Sequence, residues 1–162
     1  MNDYISPLQL GCTKTKTYEI QGDGTYRPQK TVITKIEKDF PSCTNSKFNV
    51  VYCYSLSTGK FDYPNGKSNV LYIGYTEGEL KKSKTSLSFR FIHCKDGHDC
   101  KSNICLRHYY KTQIPLTLEI YVLPSTRPAQ KIEAKLRWQF LEKYAALPIA
   151  DGASYKKQSK EM

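Results

Sequence analysis

The sequence has no apolar run approaching the ~20 residues that a bilayer-crossing helix requires. Its start, Met1-Asn2-Asp3-Tyr4-Ile5-Ser6, lacks the basic end and apolar middle of a secretory signal. No membrane role is expected, and a soluble, cytoplasmic protein is. No internal repeat is visible, which sets aside solenoids and propellers. Gln21-Gly22-Asp23-Gly24 has neither the Lys-Ser/Thr end nor the strand-turn-helix setting of a phosphate-binding loop, and the nucleophile elbow of a Ser-His-Asp hydrolase is missing. None of the six cysteines, Cys12, Cys43, Cys53, Cys94, Cys100 and Cys105, belongs to a Cys-x-x-Cys pair. Without a signal, the expectation for them is reduced thiols or a metal site rather than disulfides. Acidic residues are scarce relative to basic ones: 15 Asp and Glu against 25 Lys and Arg give a formal net charge of +10 over 162 residues.

That balance produces a field favouring polyanions, with an affinity that falls steeply with salt. Ribosomal and membrane-surface proteins share it. The 13 tyrosines interleaved with basic side chains tilt the reading toward nucleic acid, because such side chains combine phosphate contacts with stacking. A composition of 39% hydrophobic and 25% charged residues suits one core and one elaborated domain.

Two β-rich runs stand out, Asn49-Val50-Val51-Tyr52-Cys53-Tyr54 and Asn69-Val70-Leu71-Tyr72-Ile73-Gly74-Tyr75-Thr76. The turn residues between them, Ser57-Thr58-Gly59 and Tyr63-Pro64-Asn65-Gly66-Lys67, predict a hairpin with an extended loop. Ahead of it, Thr31 to Ile36 alternates and predicts a strand, Gln21 to Pro28 predicts a loop, and Pro41 to Ser46 marks a junction. Behind it, Ser86 to His93 has apolar residues near helical spacing, and Asn103 to Tyr110 suits a second helix. Leu116 to Leu123 alternates as a third strand, and Ala129 to Ala145 is a helix whose Ile132, Leu136, Phe140 and Tyr144 recur every four residues. The expected class is α+β, a small mixed or antiparallel three-stranded sheet flanked by helices. Residues 1–48 form an N-terminal β-rich arm, 49–157 the main domain and 158–162 a tail.

Tyr72-Ile73-Gly74, with Val50-Val51-Tyr52 standing before it, Arg90 on the next expected helix, Glu133 near the start of a later one, and Leu147-Pro148-x-x-Asp151, follow one another in an order that resembles the GIY-YIG nuclease family. The resemblance covers about residues 49 to 157. It departs from the family's pattern in having Asp151 where Asn is usual, and in longer intervals between Tyr52 and Tyr72 and between Gly74 and Arg90. Loops tolerate such insertions cheaply.

The resemblance implies a Mg²⁺- or Mn²⁺-dependent endonuclease acting on double-stranded DNA, of the kind found in sequence-specific type II restriction. Glu133 would be the metal ligand, since one carboxylate can hold a Mg²⁺ that keeps most of its waters; read from the residues alone, it is a solvated helix face. Arg90 would hold the scissile phosphate through its fork of donors, or else merely snorkel over Phe89 and Phe91. Tyr52 and Tyr72 would activate and orient water, which for a phenol of ordinary pKa about 10 needs a nearby cation such as Arg90 or Lys84. His93 is catalytic, structural or a zinc ligand. Gly74 would allow a close backbone approach, and Asp151 either supports the metal or caps a turn. Arg27, Lys30, Lys81, Lys82 and Arg107 are the candidate DNA contacts, and the arm before residue 49 either reads DNA or covers a sheet edge. The cluster His93, Cys94, His98, Cys100, Cys105 and His108 holds zinc-type donors, set against plain reduced thiols. Cutting both strands calls for a homodimer or two sequential nicks. The rival reading is a non-catalytic basic nucleic-acid-binding protein on a degenerate version of the same fold.

Overall fold

The computed structural model describes residues 1–40, 47–79 and 101–151. In chain order these form α1 (Pro7–Leu10), β1 (Lys14–Ile20), α2 (Lys30–Asp39), β2 (Lys47–Leu56), β3 (Phe61–Tyr63), β4 (Gly66–Ser68), β5 (Val70–Glu79), α3 (Lys101–Thr112), β6 (Leu116–Val122) and α4 (Ala129–Tyr144). The class is α+β.

The sheet has four strands rather than three, ordered β1-β6-β2-β5 and antiparallel throughout. The fourth comes from the N-terminal arm: Lys14–Ile20 pairs with β6 from Lys14 opposite Val122 to Ile20 opposite Leu116. The arm therefore covers one edge of β6 from within the same sheet. Residues 31–36, expected as a strand, lie instead in α2. Val32 and Ile36 fit a strand's alternation and are also four apart, and with Phe40 they bury one helical stripe against Tyr18 and Ile20. The helix expected over 86–93 lies outside the described residues.

Alternation along β2 and β6 divides the interior into two layers. Val50, Tyr52, Tyr54 and Leu56 of β2, with Leu116, Leu118 and Ile120 of β6, face Leu106 and Tyr110 of α3 and the buried stripe of α2. Val51, Cys53 and Tyr121 face Leu136, Phe140 and Tyr144 of α4. Fully burying such a side chain contributes about 1.5–3 kcal/mol, so a one-residue slip of β2 would exchange the layers and is strongly opposed.

α4 is fixed on its layer at both ends by side chains from the β2–β5 hairpin. At its start the Asn49 side chain accepts from Ala129 N–H (2.8 Å) and donates to the carbonyls of Pro124 and Arg127 (both 2.9 Å). Glu77 Oε2 accepts from Gln130 N–H at 3.2 Å. These acceptors satisfy N–H groups that a helix start leaves unpaired, and the Glu77 charge suits the positive end of the helix dipole. At the other end, Asn65 in the β3–β4 turn donates to the Lys143 and Tyr144 carbonyls at 2.9 and 3.2 Å, while Ala145 takes the left-handed conformation that terminates the helix.

The first residues plug the rest of the α4 layer. Asn2 donates from its backbone and side chain to the buried Glu119 carboxylate and from its side chain to Tyr121 Oη. Asp3 accepts from Ser68 Oγ at 2.7 Å and Asn69 N–H at 3.2 Å, with Lys60 Nζ 3.1 Å away. Burial pushes the Asp3 carboxyl up, but the Ser68 hydroxyl, Lys60 and the Asn69 N–H together hold it below its ordinary 3.8. Because the folded value is depressed, the contribution to stability is present above the unfolded value and is lost as pH falls through the folded one. Thermal unfolding of wild type and Asp3→Asn should therefore differ most near neutrality, with the gap narrowing progressively as pH falls below about 4. A constant gap from pH 7 to 3 would show that the Asp3 charge is not what holds the plug.

Candidate active site

Two groups of the residues singled out in the sequence come together. The first is Tyr52, Tyr72 and Gly74. Tyr52 and Gly74 are direct register partners on β2 and β5, as are Tyr54 and Tyr72. The Tyr52 and Tyr72 ring centroids are 6.2 Å apart, and Tyr54 meets Tyr52 edge-on at 6.0 Å.

A β-bulge sets the aim of Tyr72. The register shifts after the Tyr54–Tyr72 pair, so that Ser55 faces Val70 and Leu71 is the extra residue. Leu71 and Tyr72 consequently pack into the same layer, whereas Val70 and Ile73 on either side pack into the other. Without the bulge, strict alternation would send Leu71 and Tyr72 to opposite faces.

Gly74 is required by the ring of its partner. A Cβ built there would lie 2.5 Å from Tyr52 Cζ and 2.6 Å from Tyr52 Oη. The far end of the Tyr52 ring thus lies across β5, carrying its hydroxyl from the central strand over the edge strand. Tyr52 is only 2% exposed and packed in the core, so it has little room to retreat.

The second group is Glu133, Arg137 and Asp151, and Arg137 is the member that motif reading overlooked. Arg137 Nη1 donates to Glu133 Oε1 at 3.1 Å, Nη2 donates to Asp151 Oδ1 at 2.5 Å, and Nε donates to Asp151 Oδ2. All three residues are 7% exposed, so Glu133 is not on a solvated helix face. Its spacing to Arg137 is i, i+4, the separation at which helix side chains meet, and that is the signal in the sequence that could have found it. Asp151 is held by this two-pronged bond and by its own N–H to the Pro148 carbonyl at 2.8 Å.

The chain after α4 carries Asp151 to the outer edge of β5. Tyr63 Oη donates to the Val70 carbonyl (2.8 Å) and accepts from Ile149 N–H (3.0 Å), and Ala150 N–H donates to the Leu71 carbonyl at 3.0 Å. Burial pushes the Tyr63 phenol up to about 12, so it remains a donor. Ala150 packs into the tyrosine layer although α4 belongs to the opposite one. Ala150, the neighbour of Asp151 in the chain, is thereby fixed at the β5 edge beside Leu71.

Arg27 and Lys30 are exposed near the start of α2, and Arg107 is half-buried on α3. Lys81, Lys82, Lys84, Arg90 and His93 lie outside the described residues, as do Cys94, His98 and Cys100. Among the described residues no three His, Cys, Asp or Glu side chains group as metal ligands, and no helix is long and apolar enough to cross a membrane. No family model, curated protein or solved structure matches the chain.

Arg137→Ala should cost about 3–5 kcal/mol in denaturant unfolding, because it takes the guanidinium away from two buried carboxylates. Arg137→Lys should recover less than half of that, since an ammonium cannot reproduce the planar fork on Asp151. A loss below about 1 kcal/mol would mean the trio behaves as a screened surface cluster. Gly74→Ala should cost about 1–3 kcal/mol through overpacking, and a double-mutant cycle with Tyr52→Leu should show strong coupling between the two sites. Additive losses would show that the ring of Tyr52 does not constrain position 74.

Proposed function

We propose that the chain is a Mg²⁺-dependent endonuclease of GIY-YIG type acting on double-stranded DNA, in the manner of a sequence-specific type II restriction enzyme. The observation that carries this reading is the pairing of Tyr52 with Tyr72 on neighbouring strands, with the Tyr52 ring laid across Gly74. It gives a physical use to the Tyr72-Ile73-Gly74 motif and to the tyrosine that precedes it.

In this reading the two tyrosines face the attacking water, one of them, ionised to its phenolate beside a cation such as Arg90 or Lys84, accepting the water's proton and the other orienting it. Arg90 grips the phosphate through its fork of donors. Of the two carboxylates in the buried trio, Glu133 stands where the resemblance places the metal ligand and would hold the cation, while Asp151 takes the two-pronged bond from Arg137. A single carboxylate with a largely hydrated Mg²⁺ is an accepted arrangement for that ion, and when bound the ion neutralises charge on the phosphoryl oxygens and the departing alkoxide. Arg137 positions Glu133 from one side and ties it to the β5 edge through Asp151. Lys84 and His93 assist at the phosphate or the leaving group.

A second reading, a basic nucleic-acid-binding protein without catalysis, is favoured by the engagement of Glu133 with Arg137 inside a buried ion cluster. Supercoiled plasmid incubated with Mg²⁺ separates the two. Nicked or linear product is expected from wild type, reduced at least about a hundredfold by Arg90→Ala and by Glu133→Gln. Glu133→Gln is preferred to Ala because the amide keeps an acceptor for Arg137. Cleavage that survives both substitutions ends the nuclease reading, and retarded mobility without any cleavage favours the second.

A further inference from the structure

The loop between β1 and α2 has a rigid base and an exposed aromatic-cationic tip. Its two ends are tied by a bridge between Gly22 and Pro28, by Gln29 N–H to the Gln21 carbonyl at 2.9 Å and by Asp23 N–H to the Arg27 carbonyl at 2.9 Å. It is clamped to the end of α3 by Gly24 N–H to the Tyr110 carbonyl (3.3 Å) and by Gln21 Nε2 to the Gln113 carbonyl (2.8 Å). A Cβ at Gly22 would fall 2.0 Å from the Tyr110 carbonyl oxygen, so only glycine permits this seat. Asp23 is exposed and braces the turn, its Oδ1 accepting from Thr25 N–H at 2.8 Å and Thr25 Oγ1 at 2.6 Å.

The tip then presents Tyr26, 56% exposed, with Lys111 Nζ 5.7 Å from its ring centroid, and the exposed Arg27 and Lys30 follow it along the chain. An exposed phenol ring on a backbone already ordered by its own hydrogen bonds loses little further freedom when it stacks. Base stacking on an aromatic ring beside cations that neutralise phosphates is the chemistry of single-stranded nucleic-acid binding. The seat of the loop is Tyr110, which is buried in the same core layer as Tyr52, so the base of the loop is anchored in the interior of the fold. The groove of about 370 Å³ lined by Tyr4, Arg127, Lys135 and Lys143 lies instead against α4.

We propose that the 21–29 loop is a nucleic-acid contact in which Tyr26 stacks on an unpaired base while Arg27, Lys30 and Lys111 take the adjoining phosphates. This rests on the nucleic-acid binding common to both readings above and not on cleavage of double-stranded DNA, and it adds a single-stranded segment as the ligand of the loop. The test is fluorescence anisotropy of the full chain with a labelled short oligothymidylate and a duplex of equal length, in EDTA over a salt series. Tyr26→Ala is expected to weaken oligothymidylate binding about five- to a hundredfold with the salt dependence unchanged, whereas Tyr26→Phe retains it. Arg27→Ala and Lys30→Ala should each lower the slope of log affinity against log salt by about 0.7, and Lys131→Ala on α4 should not weaken oligothymidylate binding.

Absence of binding by wild type, an unchanged affinity in Tyr26→Ala, or an equal loss in Tyr26→Phe overturns the proposal. A plasmid assay without cleavage, together with Tyr26-dependent oligothymidylate binding, removes the nuclease and leaves the loop contact standing. Cleavage together with Tyr26-independent binding does the reverse.

Discussion

The Arg137 guanidinium between Glu133 and Asp151 is the interaction on which the candidate site depends. Burying charges costs several kcal/mol per ion even after relaxation, and attraction inside the protein offsets it only when geometry is good and the remaining donors and acceptors are used. Here the planar fork on Asp151 supplies the geometry, and the i, i+4 spacing supplies Glu133 without bending the helix. The cluster joins α4 to the chain that returns along β5. The 148–151 segment is held in addition by the Tyr63 hydroxyl, the Leu71 carbonyl and the packing of Ala150.

Such a cluster works only if α4 cannot slide or rotate, and the caps at both ends provide that. The interval between Tyr52 and Tyr72, longer than the nuclease pattern, contains the β3–β4 hairpin whose Asn65 closes the end of α4. Tyr63 of the same hairpin packs edge-on against Phe140 at 5.2 Å and at a tilt against Tyr144 at 5.7 Å. The inserted loop is thus a clamp rather than slack. Asn49 does the matching work at the other end from β2, the strand that also carries Tyr52, so helix register and tyrosine placement share one piece of backbone.

How much of this was legible in the sequence follows from how local each feature is. β2, β5, β6 and α4 were readable because each has a strong period of its own: Leu116, Leu118 and Ile120 alternate, and Leu136, Phe140 and Tyr144 repeat by four. α2 was misread because six residues with apolar side chains at Val32, Ile33 and Ile36 satisfy either period. β1 was passed over because Lys14-Thr15-Lys16-Thr17 is polar on both faces until Tyr18 and Ile20 turn inward. The bulge at Leu71, the remote cap by Asn49 and the two-pronged bond from Arg137 to Asp151 depend on residues brought together by the sheet, and no local pattern announces them. Glu133 could be singled out only by its likeness to a motif, and its burial beside Arg137 was visible at most as a spacing.

The charges of the trio carry the functional argument one step further. Two carboxylates and one guanidinium leave a net charge of −1 at the β5 edge, in a chain whose overall excess is +10. Taken by themselves, these three charges repel a phosphate. Adding a divalent cation there changes the local sum from −1 to +1 and turns repulsion into attraction. In the nuclease reading, therefore, substrate is held at the edge only when the metal is present, and the basic remainder of the surface binds without it. In the non-catalytic reading the trio stays anionic, repels the backbone, and serves only to fasten α4 to the sheet. The same three side chains are compatible with either reading, and the competition between Arg137 and a divalent cation for Glu133 is what separates the two.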